Sequence, residues 1–253
     1  QKVVRGMMAK CMYAMGVNDQ RTVLNGCYFV VTETGLMLVS CDSYKLAKCS
    51  LDTEIINSGL EGSVVDFKFI MPTKTVNELY RMLEDDDEEM LKIYMTRKNI
   101  IFFFGDVIFF SRLVDGAYID YERIIVKTHK IEATMDRQAL ISALERASLI
   151  TEERIAGSVR SSVRLEFSGD ILKVMAASSA GSTYDEVDID HTGDDLLIAF
   201  NNRYLINSLR ASDADEVTLS MTSALTGINI EPTEKKEDLE ELYMLLPVRM
   251  KEY

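Results

Sequence analysis

The 253-residue sequence has few of the residues that build metal centres or disulfide frameworks. It contains four cysteines, no two of them form a CxxC pair, and none occurs after Cys49. His129 and His191 are the only histidines that could join them at a metal. We therefore expect no metal site, and reduced thiols in a cytoplasmic protein are the simplest interpretation.

Long apolar runs are also missing. No uninterrupted apolar stretch reaches the roughly 18 residues that a membrane helix needs. The opening residues Gln1-Lys2-Val3-Val4-Arg5 contain neither an initiator methionine nor a signal peptide, which predicts a soluble protein, without a membrane partner, whose beginning has been trimmed. The formal net charge of −13 argues against broad adhesion to nucleic acid or acidic membranes, but it leaves room for a local basic face.

Enzyme signatures are absent too. The sequence has no glycine-rich phosphate loop, no nucleophile elbow and no paired histidine and cysteine. The acidic segment YDEVDIDHTGDD could imitate a metal site, but Val187 and Ile189 alternate with Asp188 and Asp190. That alternation predicts carboxylates on the solvent face of a half-buried strand. We expect no catalytic residue, no metal and no cofactor.

What the sequence does contain is a repeated pattern of strands with a few helices. Gly105-Asp106 and Gly169-Asp170 each separate two apolar runs, which is the signature of two-residue hairpins and predicts antiparallel sheets. Amphipathic periodicity predicts four helices, over residues 2–15, 73–83, 136–149 and 202–211. The fold class is therefore α+β, with antiparallel sheets and a small number of helices.

The spacing of the helices predicts two copies of one module, residues 1–127 and 128–253. Superposing KTVNELYR on RYLINSLR, and the first helix on the third, aligns three basic pairs: Lys74 with Arg203, Arg81 with Arg210, and Lys10 with Arg146. Chance similarity between amphipathic helices is the alternative explanation.

The aligned basic residues point to one side of each helix. Residues seven apart lie two turns up and only about 20° round, so Lys74 and Arg81 share a face. Glu78 lies one turn from both, so a solvated face with ion pairs is an alternative to a phosphate-binding row.

Five segments, in order along the chain, resemble the bacterial sliding clamp, the beta subunit of DNA polymerase III: LVSCDSYKLAKCS, FIMPTKTVNELYRML, SRLVDGAYIDYERII, IAFNNRYLINSL and YMLLPVRM. The resemblance covers the second and third domains of that family, and the family's first domain has no counterpart here. It implies a DNA-clamp fold whose modules each have sheets outside and two helices on the inner face. It also implies a non-catalytic processivity factor of a DNA-directed DNA polymerase, which encircles duplex DNA.

The resemblance further implies two sets of binding residues. The first set forms a hydrophobic cleft for linear peptides between the modules: Leu24, Asp42, Tyr44, Leu46, Ile119, Arg123, Ile124, Asn201, Tyr204, Leu225, Met244, Leu245, Leu246, Pro247, Val248, Arg249 and Met250. The second set faces DNA: Lys2, Arg5, Lys10, Lys74, Arg81, Arg146, Arg203 and Arg210. The family's Thr-Asp-Gly-His-Arg-Leu is Cys41 to Leu46 here, and Ile119 replaces a usual proline, so the peptide preference is open.

The expected partners follow from the same resemblance. They are duplex DNA, bound without sequence preference, and the replicative polymerase alpha subunit, the clamp loader and repair polymerases, bound through linear peptides. Clamps close head to tail into a homodimeric ring, but without a first domain this chain is expected to remain a monomer, with an unpaired edge formed by strand segments within residues 163–177 and neighbouring residues. The alternative function is a peptide-binding scaffold without a DNA role.

Overall fold

The computed structural model describes residues 1–59, 63–86, 88–151, 153–155, 158–160, 162–179 and 181–249. Within these ranges the chain forms four α-helices: α1 Lys2–Met12, α2 Thr73–Met82, α3 Arg137–Thr151 and α4 Asn202–Ala211. The strands are β1 Gly26–Thr32, β2 Gly35–Cys41, β3 Lys45–Asp52, β4 Asp66–Pro72, β5 Lys92–Met95, β6 Asn99–Phe104, β7 Val107–Arg112, β8 Ile131–Asp136, β9 Glu153–Ile155, β10 Ser158–Arg160, β11 Ser162–Ser168, β12 Ile171–Ser178, β13 Gly181–Asp188, β14 Asp190–Thr192, β15 Leu196–Asn201, β16 Glu216–Met221, β17 Ile228–Pro232 and β18 Leu239–Leu245.

The chain divides into two compact units. The first comprises Gln1–Tyr121 and Lys236–Glu241, and the second comprises Glu122–Lys235 together with the residues from Leu242 onward. The predicted join at residues 127–128 lies a few residues beyond this division, so Arg123 and Ile124, which we had placed in the first module, belong to the second unit.

Each unit contains two helices and two larger antiparallel sheets, and the second unit also has the two-stranded sheet β9-β10. In the first unit the strand orders are β4-β1-β2-β3 and β5-β6-β7, and α1 packs on β2, β3 and α2. In the second unit the orders are β14-β8-β16-β17-β18 and β13-β12-β11-β15, and α3 packs on β12, β13 and α4. The predicted α+β class with antiparallel sheets is confirmed.

The two predicted hairpins are present. Phe104 pairs with Val107 around one turn, and Ser168 pairs with Ile171 around the other. Gly105 and Gly169 have φ angles of 50° and 56°, at the first turn position, where type II′ turns require glycine. A side chain there would strain the backbone, which explains why these short sequences fix the register of long apolar strands.

Apolar stripes and caps fix the helices. Val76 and Leu79 of α2 are fully buried. The second unit adds side-chain caps: the Asp136 carboxylate accepts a hydrogen bond from the Ala139 amide at 2.6 Å, and the Asn201 side chain accepts one from the Tyr204 amide at 3.1 Å. Such caps satisfy backbone donors that have no partner within the helix.

The strand pattern of the acidic segment is confirmed. Val187 and Ile189 are buried, whereas Asp188 and Asp190 are exposed. The carboxylates therefore lie on a wet strand face. Among the residues that the structure describes, no group of three His, Cys, Asp or Glu side chains is arranged to hold a metal ion.

The predicted edge does not lie within residues 163–177, but one outer strand of the sheet, β13, is formed by residues close to that range. Strand β11 pairs with both β12 and β15, and β12 pairs with both β11 and β13. The outer strands of this sheet are β13 and β15. The hairpin signature located β11 and β12 correctly, but it could not reveal which further strands flank them.

Across the described ranges, none of the helices has the length and apolar character needed to cross a membrane.

Helix α1 contains a buried ion pair. The Lys10 ammonium lies 3.0 Å from the Glu241 carboxylate, and the two side chains are only 8% and 5% exposed. Lys10 lies one turn from Met7 and beside Cys11, both of which are buried. The assignment of Lys10 to a DNA-facing row is therefore corrected, because its charge is neutralised inside the first unit.

This ion pair makes a prediction about stability. Lys10→Met should lower the free energy of unfolding by about 3–5 kcal/mol, because Glu241 would remain buried without its partner. The double variant Lys10→Met/Glu241→Leu should recover most of that loss, since an apolar pair of similar volume avoids the desolvation of two charges. Denaturant unfolding measures both. A single variant as stable as the parent would contradict the burial of this pair.

Candidate functional site

The Asp42 loop shapes the first unit's part of the predicted peptide set. The Asp42 carboxylate accepts hydrogen bonds from the amides of Tyr44 at 2.7 Å and Lys45 at 2.9 Å, and it also pairs with the Lys45 ammonium. This closed turn between β2 and β3 leaves the Tyr44 ring exposed to solvent. Asp42 thus fixes the backbone of this turn, from which the Tyr44 side chain projects into solvent.

Arg21 was missing from the predicted set, although it lies beside this loop. Its guanidinium donates to the Ser43 hydroxyl at 2.8 Å and to the Asp19 carboxylate at 3.1 Å. The hydrogen bond from Arg21 lowers the pKa of Asp19. No spacing rule links Arg21 to Ser43 across 22 residues. The local sequence does predict the turn itself, because the aspartate side chain at Asp42 commonly accepts a hydrogen bond from the backbone amide two residues later.

Burial separates the apolar members of the set into two groups. Leu24, Leu46, Met244 and Leu245 are at most 2% exposed. They offer almost no surface to a ligand, so they can only support neighbouring residues. We had expected Leu245 to be a contact residue, whereas its position gives it a supporting role.

The terminal segment provides the exposed apolar surface of the second unit. Leu225 and Leu246 are both exposed. The Val248 amide donates a hydrogen bond to the Ala199 carbonyl at 2.8 Å, which holds the chain after Pro247 against β15. At Gly227 an added Cβ would lie 3.3 Å from the Leu246 side chain, so the glycine allows this close approach.

The remaining members of the set are partly exposed. Ile124 and Arg249 are exposed, while Ile119, Asn201 and Tyr204 are half-buried. Arg123 lies in a short 3₁₀ turn and is exposed. Met250 lies outside the described residues. The predicted set thus includes apolar side chains that are exposed or half-buried in each unit: Tyr44 and Ile119 in the first, and Ile124, Tyr204, Leu225 and Leu246 in the second.

Burial also controls the thiol beside the Asp42 loop. Desolvation, followed by the nearby Asp42 charge, raises the pKa of Cys41 to about 12. The thiol therefore stays protonated at neutral pH and does not act as a nucleophile.

The helices carry basic side chains with different environments. Arg81 pairs with Glu78 at 2.9 Å, Arg146 pairs with Asp185 at 2.8 Å, and Arg210 pairs with Glu145. Lys2 lies 4.0 Å from Asp85, and the Arg5 guanidinium lies over the Tyr80 ring, 4.7 Å from its centroid.

Lys74 and Arg203 differ from these residues. Both are exposed, and neither has a carboxylate partner within the described part of the chain. Each is the second residue of its helix, Lys74 in α2 and Arg203 in α4. Each unit therefore has one cation without a carboxylate partner in the described residues, at the second position of its second helix. The sequence repeat aligned these two residues with each other.

Lys74 also borders a surface depression of about 440 Å³ at the start of α2. Its wall includes polar side chains from α2 and from the loop after α1: Asn18, Asn25, Thr73, Asn77, Glu78 and Arg81. Because Arg81 is paired with Glu78, Lys74 is the one cation of this lining without a carboxylate partner in the described residues.

Comparison with known proteins identifies both units. Residues 1–120 match the family model of the DNA polymerase III beta subunit, central domain, and residues 122–249 match that of its C-terminal domain. The two matches follow the order of the structural units.

Individual relatives agree with this result. The beta sliding clamp of Proteus mirabilis is 30% identical over 251 residues, which cover 99% of this chain and 64% of that protein. The beta sliding clamp of Streptococcus pneumoniae is 28% identical over 98% of this chain and 63% of that protein. A crystal structure of the sliding clamp from Pseudomonas aeruginosa superposes with a TM-score of 0.87 at 26% identity, covering 98% of this chain and 64% of that one.

The chain therefore spans a little under two thirds of the length of these relatives. Both of its units are accounted for by clamp domains in the order in which the family has them. The chain belongs to the DNA polymerase III beta subunit family, as its central and C-terminal domains.

Proposed function

We propose that this chain serves as part of a sliding clamp, a processivity factor that holds a DNA polymerase on duplex DNA. The observation that carries this proposal is the match of both units, in order, to the two clamp domains. The role is non-catalytic tethering, and it requires surfaces for DNA and for other proteins but no reacting group.

For DNA, the proposal rests on the exposed sides of the short helices. Lys74 and Arg203 would contact backbone phosphates without reading sequence. The ion-paired residues Arg81, Arg146 and Arg210 would add weaker contacts, because a phosphate must compete with the carboxylate already present. Weak, sequence-independent contacts are what a sliding protein needs, and the net charge of −13 would discourage DNA from binding elsewhere on the protein.

For protein partners, the proposal rests on the exposed apolar residues of the predicted set. Tyr44 in one unit and Leu225 and Leu246 in the other would bind apolar anchors of a linear peptide. Asp42, the Val248 amide and the buried leucines keep these residues in position. The partners proposed are the replicative polymerase alpha subunit, the clamp loader and repair polymerases, each through a short peptide.

The peptide role makes a prediction that uses exposed residues. Leu246→Ala and Tyr44→Ala should each weaken binding of a polymerase tail peptide by about tenfold, since truncating an interface anchor costs at least ~1–2 kcal/mol. Titration calorimetry measures the affinity. Leu149→Ala is a matched control, because Leu149 is 84% exposed but lies outside the set. Unchanged affinity for both test variants would refute the peptide assignment.

The DNA role makes a separate prediction. Lys74→Ala/Arg203→Ala should reduce the slope of log affinity against log salt by about 1.8, since each lost phosphate contact contributes about 0.9. Fluorescence anisotropy on a short duplex at low ionic strength measures the slope.

Arg146→Ala/Arg210→Ala is the matched comparison, with the same loss of formal charge from ion-paired positions, and it should change the slope less. Peptide binding should survive in both double variants. If Lys74→Ala/Arg203→Ala leaves the slope unchanged, the alternative of a peptide-binding scaffold without a DNA role is favoured.

A further inference from the structure

The sheet β5-β6-β7 of the first unit is apolar on both faces. Its inner face places Ile100, Phe102 and Phe104 in the core, where each is at most 5% exposed. Its outer face carries a second apolar set, which we call the aromatic face: Tyr94, Ile101, Phe103, Ile108 and Phe110. Antiparallel sheets with one face in solvent normally alternate apolar and polar residues, so the aromatic face has the composition of a covered surface.

The strand register brings these side chains together. Tyr94, Ile101 and Phe110 lie directly opposite one another in one row across the three strands. Phe103 and Ile108 are opposite each other in the next row. Tyr94, Ile108 and Phe110 are 59%, 69% and 59% exposed. With about 150–250 Å² for a large side chain, these three alone expose roughly 300–400 Å².

The second unit provides an internal comparison. In its sheet β14-β8-β16-β17-β18, Thr134 of β8 is the cross-strand partner of Thr218 of β16, and Thr233 follows β17. Their hydroxyls form a hydrogen-bonded row at 2.9 Å and 3.0 Å. An antiparallel sheet of this chain is therefore stable with polar residues on one face, and packing of the first unit's core does not account for the aromatic face, which points away from that core.

Positive charge borders the aromatic face. Lys92 lies opposite Phe103 at one end, and Arg112 lies opposite Asn99 at the other. Both are exposed, and in the described ranges neither forms an ion pair with a carboxylate. Arg97 and Lys98 of the β5–β6 turn add two cations at the Arg112 end, whereas Asp106 and Glu89 lie near the Lys92 end. We call these four cations the basic rim, and it is strongest at the Arg112 end.

We propose that the aromatic face docks an acidic amphipathic segment of another protein, with two or three large apolar side chains and neighbouring carboxylates. Apolar anchors would cover Tyr94, Ile108 and Phe110, and the carboxylates would meet Lys92 and Arg112. None of these residues belongs to the peptide-binding or DNA-facing sets, so the inference is independent of the proposed clamp role.

Size and charge favour such a segment over other occupants. A stable interface between globular proteins buries about 800 Å² on each partner, more than the aromatic face exposes, and a second copy would bring two basic rims together. An anionic membrane is an extended surface and would face acidic residues around the aromatic face as well as the basic rim, whereas a short segment can lie within about one Debye length of the rim alone. A short acidic segment needs no more area than the aromatic face exposes, and its carboxylates complement the cations of the basic rim.

Two synthetic dodecapeptides test this inference. In the first, phenylalanine and leucine alternate with aspartate and glutamate; in its twin, lysine replaces the acidic residues. The acidic peptide should bind at least about tenfold more tightly in fluorescence anisotropy. Ile108→Thr/Phe110→Thr should weaken it by about tenfold, and threonine suits an exposed strand position, so folding should persist. Lys92→Glu/Arg112→Glu should reverse the preference towards the lysine twin.

Leu149→Ala removes an exposed leucine of α3, outside the aromatic face, and should leave the affinities for both dodecapeptides unchanged. The inference is overturned if the acidic peptide does not bind at about 1 mM or binds equally to the threonine variant. It is also overturned if sedimentation shows a dimer that Phe110→Thr dissolves, or if phosphatidylserine vesicles bind the protein through this face. Protection of Phe110 from solvent by another part of a longer form of the chain would overturn it too.

Discussion

Burial of one apolar stripe on each short helix determines which side chains the helix offers to solvent. In α2 the stripe is Val76 and Leu79, and in α4 it includes Leu205 and Leu209. Lys74 lies two positions before Val76, and Arg203 lies two positions before Leu205, about 200° round the helix from the buried residue. The packing that stabilises each unit therefore also points one cation away from the core at the same place.

The ion pairs on these helices set how strongly they could hold an anion. Exposed pairs such as Arg81 with Glu78 contribute only about 0–1 kcal/mol, so a phosphate can compete for the arginine at small cost. Each carboxylate nevertheless reduces the local positive potential. Helix cations that are already paired would therefore hold an added anion weakly, whereas Lys74 and Arg203, which have no carboxylate partner in the described residues, would hold it more strongly.

Local sequence chemistry predicted what depends on neighbours in the chain. Gly105 and Gly169 occupy turn positions that need a positive φ, so both hairpins could be placed from two residues each. Heptad spacing placed Lys74 and Arg81 on one side of α2. The strand alternation around Asp188 separated wet from buried residues, although its acidic composition alone resembled a metal site.

The features that the sequence did not reveal depend on residues far apart in the chain. Lys10 looked like a surface cation until folding brought Glu241 to it across more than 200 positions. The identity of the outer strands beside β11 and β12 depends on which elements pair, and hairpin signatures do not contain that information. Leu245 and Leu246 are adjacent and chemically identical, yet one is buried and the other exposed, because the direction of a strand side chain is set by the sheet that receives it.

The contrast between the two units shows where sequence composition reflects folding and where it does not. The second unit has a row of threonines on one face of a sheet, and the first unit has the aromatic face, so sheets of this chain fold with either chemistry on an exposed face. An exposed apolar face carries a risk of self-association, and the net charge of −13 opposes that risk by keeping copies apart. The same charge does not cancel the basic rim, because Lys92 and Arg112 act over a distance of about one Debye length, roughly 8–10 Å. Within that distance, the potential that acts on a bound segment comes mainly from the basic rim and not from the protein's net charge. The surface can therefore favour an acidic segment while the net charge still opposes self-association.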